Sequence, residues 1–166
     1  GNYAGAFYPT QLANEQGYEQ VIWTDDTTHE YFEESGTMNV FVRINDTIIT
    51  PKTSEKILDG VTRDSFIQLA KKRGFNIEIR DVSVKEVVDA QKSGELKEIW
   101  GVGTAVVTSR FEAIGYKGEK LQLPSLNSEE SYAEILKNDL VNIQTNQSED
   151  PFGWRALVEK KILETV

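Results

Sequence analysis

Three stretches of this sequence carry residue types that could do chemistry. Leu58-Asp59-Gly60-Val61-Thr62 runs into an apolar pattern that begins near Arg63. A glycine-containing turn at a helix start presents free backbone N–H groups and the positive end of the helix dipole, a natural seat for a phosphate. The competing assignment is ordinary capping of that helix by Asp59 or Thr62. Gly101-Val102-Gly103-Thr104 offers a second place where a ligand could approach the backbone, with the Thr104 hydroxyl as donor. It is half a dinucleotide fingerprint at most: no third glycine follows and the next element reads as strand, so a β-bulge is the readier explanation of the glycines. Glu33 and Glu34 precede a buried strand. Two adjacent acids ordinarily form a solvated rim, and one turned inward would need a cationic partner.

Composition limits what these groups can be. The chain has 166 residues, the length of one ordinary domain, and its 39% apolar and 10% aromatic content can bury a core. The net charge of −9 argues against phosphate backbones and anionic lipid surfaces, so neither nucleic acid nor membrane is expected as a partner. With no cysteine and a single histidine, His29, there are no thiolate ligands, no disulfides and no histidine cluster, and no metal site is expected. No apolar run reaches the length of a membrane span. A cytoplasmic, reducing setting is the expectation. His29 reads as a surface or packing residue, and Trp23, Trp100 and Trp154 as core.

The elements that must position these groups follow from periodicity and stop signals. Residues 6–16 read as a helix ended by Gly17, residues 20–24 as a strand, and residues 29–32 as a shorter one. Residues 37–44 alternate Met38, Val40, Val42 and Ile44 against Asn39, Phe41 and Arg43, the pattern of a half-buried strand, and Asn45-Asp46 turns it into a hairpin. Residues 63–73 predict a helix with Phe66, Ile67, Leu69 and Ala70 on one face and Gly74 at its end. Strands are expected over 75–82 and 99–108, and a short helix between them starts at the capping box Ser83-Val84-Lys85-Glu86. Gly115-Tyr116-Lys117-Gly118 reads as a turn before a strand over 120–123, and residues 129–145 as a long amphipathic helix. The fold class is a mixed, strand-rich α/β domain.

Taken together, the motifs resemble a known family. Glu33-Glu34-Ser35-Gly36-Thr37-Met38-Asn39-Val40-Phe41, Ile57-Leu58-Asp59-Gly60-Val61-Thr62-Arg63 and Trp100-Gly101-Val102-Gly103-Thr104-Ala105 closely resemble the branched-chain amino acid aminotransferases, class IV, fold-type IV enzymes that use pyridoxal phosphate. Gly1-Asn2-Tyr3, Gln20-Val21-Ile22-Trp23, Tyr116-Lys117-Gly118-Glu119 and Phe152-Gly153-Trp154 match in the same order. Thr62 departs mildly, standing where a second valine is common. The resemblance implies that residues 1–166 form one domain, the larger C-terminal domain of such an enzyme, a pseudo-barrel of strands with surrounding helices.

It also implies roles. Glu34, rather than Glu33, would pair with the cofactor's pyridine nitrogen, since strand alternation sends neighbours to opposite sides. The amides of Val61 and Thr62, with Thr104, would form the phosphate cup. Tyr3 would approach the cofactor's phenolic oxygen and Leu58 would pack on its ring, while Thr37 and Ala105 would receive the substrate carboxylate. Implied partners are branched-chain amino acids, their 2-oxo acids, 2-oxoglutarate and glutamate, a smaller N-terminal domain of the same protein, and further copies in a homo-oligomer. The family's Schiff-base lysine lies just before the Gly-Asn-Tyr segment, so the chain is expected to begin inside a longer protein, to hold no catalytic lysine and to be inactive alone. Two alternatives stay open: another class IV enzyme (a D-amino-acid aminotransferase or aminodeoxychorismate lyase), or a non-catalytic module that binds a phosphate compound or a partner protein.

Overall fold

The computed structural model describes residues 4–156 and 158. Strand β3 (Met38–Ile44) organises it. One edge of β3 takes β6 (Leu96–Val102) antiparallel, from Asn39 opposite Val102 to Ile44 opposite Leu96. Its other edge is shared. β2 (Phe32–Ser35) pairs with the start, Glu34 against Asn39, and β4 (Thr47–Thr50) pairs with the end, Val42 against Ile49. Between those two partners the Thr50 hydroxyl donates to the Val40 carbonyl at 2.9 Å.

β1 (Ile22–Thr24) extends the sheet beyond β2, and β7 (Ser109–Arg110) extends it beyond β6. β5 (Asn76–Ile79) lies parallel to β4, reached through helix α2 (Val61–Lys72) as a crossover. Ahead of β1 stands α1 (Phe7–Glu15), preceded by a 3-10 turn at Ala4–Ala6 and ended at Gly17. A separate hairpin pairs β8 (Ala113–Tyr116) with β9 (Glu119–Gln122). Among the described residues this is the mixed α/β class expected from the sequence.

β3 is buried on both faces rather than on one, and this corrects the half-buried expectation. Val40 and Val42 pack with Val87 and Val88 of α3 (Val84–Ser93) and with Ile114 and Leu121 of the hairpin. Phe41 faces the other way, stacked on Trp100 at 5.4 Å between centroids and packed with Phe66 of α2 and Leu136 and Leu140 of α4 (Tyr132–Gln144). Burying each such side chain contributes about 2 kcal/mol. The period of two was real, but elements later in the chain cover the second face.

Other expectations shift for local reasons. Of residues 29–32 only Phe32 joins a strand, as the first residue of β2; Asp25 accepts hydrogen bonds from the N–H groups of Thr28, Glu30 and Tyr31 and folds the residues before it into a loop, with His29 exposed at φ 58°. Glu33 and Glu34 therefore lie inside β2. The strand expected over 99–108 begins at Leu96 and stops at Val102. No bulge occurs at Gly101, where a β-carbon would stand 2.8 Å from the Met38 methyl: the glycine makes room for that side chain. Trp100 is core as expected, whereas Trp23 and Trp154 are half-buried. Trp23 donates its indole N–H to the Gly36 carbonyl, and Trp154 stacks on Phe152.

Candidate active site

The turn before α2 is held from several directions. Ile57 is buried, Lys56 pairs with Asp26, and the Arg63 guanidinium, itself buried, donates to the Pro51 carbonyl at 2.8 Å. Helix α2 starts at Val61, two residues earlier than the periodicity predicts, with Gly60 in extended conformation as its cap. No side chain caps it. Asp59 turns to Arg63 at 3.6 Å, and the first helical bond runs from the Asp64 N–H to the Gly60 carbonyl. Capping by Asp59 or Thr62 is therefore not formed, and the amides of Val61, Thr62 and Arg63 have no acceptor within the helix. Val61 and Leu58 are exposed beside them, at 83% and 71%.

Glu34 meets this turn. The Leu58 N–H donates to Glu34 Oε1 at 2.9 Å, and Asn39 Nδ2 approaches the same oxygen at 3.4 Å. Among the described residues no Lys or Arg pairs with Glu34, and Oε2 takes no hydrogen bond. The cationic partner expected for an inward acid is thus replaced by N–H donors. Burial pushes the Glu34 carboxyl above the usual carboxylate range; the Leu58 N–H opposes the shift and the nearby Glu33 charge adds to it.

The remaining candidates lie along β3 and β6. Glu34, Asn39 and Val102 are register partners and so share one sheet face, the face that carries Phe41, Trp100 and α2. One step beyond that register, Thr37, Thr104 and Ala105 line a cavity of about 240 Å³ with Met38 and Gly103. The candidates thus fall into two groups, Glu34 with Leu58 and the α2 start, and Thr37 with Thr104 and Ala105, joined by the Asn39–Val102 pair. Tyr3 lies outside the described residues.

A family model, Amino-transferase class IV, matches residues 1–111. The chain belongs to the class IV aminotransferases. It is 38% identical over 160 residues to a probable branched-chain-amino-acid aminotransferase of Staphylococcus epidermidis, covering 96% of this chain and 44% of that protein. It is 39% identical over 167 residues to branched-chain-amino-acid aminotransferase 2 of Bacillus subtilis, covering 97% of this chain and 45% of that protein. The chain therefore spans slightly less than half the length of these curated relatives. Among solved structures, a branched-chain amino acid aminotransferase from Escherichia coli superposes with a TM-score of 0.73 at 22% identity, covering 92% of this chain and 48% of that one. A hypothetical aminotransferase from Mycobacterium tuberculosis, in its alpha-ketoglutarate- and PMP-bound form, gives 0.67 at 24% identity, over 84% of this chain and 45% of that one.

This class IV aminotransferase also holds residues near the site that pattern reading passed over. Asn39 appeared only as a polar position in an alternating strand, yet its amide donates to the Leu58 carbonyl at 2.8 Å. An asparagine amid Val40, Phe41 and Val42 was the available signal, because strands disfavour it. Arg63 read as the first residue of a helix; its burial shows only once Pro51 and Asp59 are brought beside it.

Proposed function

We propose that the protein is a branched-chain amino acid aminotransferase, moving the amino group of leucine, isoleucine or valine to 2-oxoglutarate with pyridoxal phosphate as cofactor. One observation carries this reading: Leu58 links a half-buried acid that keeps one carboxylate oxygen free to a helix start whose amides are free. Pyridoxal phosphate carries a ring nitrogen and, on a side arm of the same ring, a phosphate, and those are the two partners they would hold. The names of the relatives favour the same substrate class.

The residues fit the cofactor, which when bound supplies an electron sink for the charge left as the substrate loses its α-proton. Glu34 Oε2 accepts the ring N–H and holds that proton at the nitrogen. The Val61 and Thr62 amides, aided by the helix dipole, bind the phosphate, and the Thr104 hydroxyl is assigned to it by resemblance alone. Leu58 packs on the ring and excludes water from one face. Thr37 and Ala105 orient the substrate carboxylate, and Tyr3 is assigned to the phenolic oxygen by resemblance alone.

In this reading residues 1–166 are the C-terminal large domain. A smaller N-terminal domain and the Schiff-base lysine belong to the same protein upstream of Gly1, and the parent is a cytoplasmic homo-oligomer. The proportion of the relatives' length that the chain spans supports the domain assignment.

The test uses the complete protein. Glu34→Ala is expected to retain cofactor yet lose at least about 100-fold in turnover of leucine, because an unprotonated ring nitrogen makes a poor electron sink. Near-normal turnover overturns the assignment. Turnover of D-alanine, or of aminodeoxychorismate, in place of the branched-chain amino acids moves the protein to another class IV activity.

A further inference from the structure

We propose that Asn39 is a positioning residue which sets the Glu34 carboxylate and the Leu58–Gly60 turn as one unit. Its relevance to catalysis rests on the reading of Glu34 given above. Asn39 is 6% exposed, on a strand buried on both faces. Its Nδ2 is forked, donating to the Leu58 carbonyl at 2.8 Å and approaching Glu34 Oε1 at 3.4 Å. The Leu58 N–H closes the triangle on the same Oε1 at 2.9 Å. Two N–H donors on one oxygen stop the carboxylate from rotating and leave Oε2 as the oxygen that can meet a ligand.

Gly60 supplies a second, independent observation. Its φ of −72° suits any residue, so backbone conformation does not require glycine there. Space does. A β-carbon on Gly60 would stand 2.2 Å from Asn39 Oδ1, well inside contact. The residue that begins the phosphate-facing helix is therefore glycine because Asn39 fills its side-chain volume. One amide reads the acid on β2 and the helix start together, so displacing it disturbs both ends of the proposed cofactor site.

The experiment is a carbon-13 titration of Glu34 in protein labelled at glutamate carboxyls, the resonance being the one missing from Glu34→Gln. Losing the Asn39 N–H removes a donor that favours the charged form, so Asn39→Leu should raise the midpoint by about half a pH unit to one. Asn39→Asp adds a like charge and should raise it further. Gly60→Ala leaves both side chains chemically intact but displaces Asn39, and should follow Asn39→Leu.

A purely structural residue would not produce that order. An unmoved midpoint in folded Asn39→Leu, or a Gly60→Ala protein that titrates as the parent does, overturns the proposal. If Asn39→Leu does not fold, as read by circular dichroism, Gly60→Ala decides alone. The titration needs no cofactor, so a separate measurement distinguishes the two readings. Pyridoxal phosphate should bind about tenfold more weakly to Gly60→Ala. Midpoints that move as stated, in a complete protein that never binds the cofactor, leave the positioning role standing and remove the transaminase reading.

Discussion

Glu34 combines two demands that oppose each other. Burial holds its carboxyl above the usual carboxylate range, so the folded chain binds that proton more readily than the unfolded chain does. A raised folded-state value favours folding below the unfolded value, and that contribution disappears as the pH rises through the folded one. At neutral pH the charged Glu34 therefore works against the fold. Glu34→Gln keeps an oxygen for the Leu58 N–H and is expected to raise the Tm at neutral pH, while in acid below the carboxylate range the two proteins should coincide. A Tm that falls at neutral pH would contradict the desolvation account. Which acid faces the turn followed from strand alternation and resemblance. The role of Asn39 did not, because its partner carbonyl belongs to a turn 19 residues further on.

At the scale of elements, side chains from one strand prepare the start of a distant helix. Glu98 of β6 is 3% exposed and accepts from the Ser131 hydroxyl at 2.6 Å, the Tyr132 N–H at 2.8 Å and Arg43 at 3.0 Å. Arg43 in turn lies 3.5 Å over the Tyr132 ring, which stacks on Phe75. Glu98→Ala would take a charged partner from Arg43, which keeps the Asn45 and Glu130 carbonyls, and would leave the Ser131 hydroxyl and the Tyr132 N–H without their acceptor, and urea unfolding should register a loss of about 3 kcal/mol. Gly101→Ala drives a methyl against Met38 and should cost about 1–3 kcal/mol by the same measurement. Helices were the legible part. Apolar spacing located α2, α3 and α4, and Ser83 caps α3 by accepting from the Glu86 N–H as its sequence suggested. β2 was displaced because its start depends on the Asp25 loop, and β8 was missed because Gly115 and Tyr116 read as part of the turn, which the structure confines to Lys117-Gly118 with positive φ at both residues.

For the whole molecule, the order of strands could not be read from periodicity, since β3 joins partners that precede it, follow it directly, and arrive more than 50 residues later. Such pairings carry loop-closure costs and make folding slow for the chain's size. The amides of Val40, Phe41 and Val42, under side chains with no exposure, are expected to exchange hydrogen only at the rate of global opening. Faster exchange there than in α2 would show that the sheet is not the last element to open. The notch at Gly101 and Gly103 has a practical consequence. The chain carries one methionine, Met38, and its thioether fills that notch while lining the cavity of Thr37, Thr104 and Ala105. A methyl label on methionine would therefore give this chain one line in the spectrum, placed where any anion drawing on the Thr104 loop must shift it. The chain thus contains its own reporter of ligand arrival, readable before any substrate is chosen.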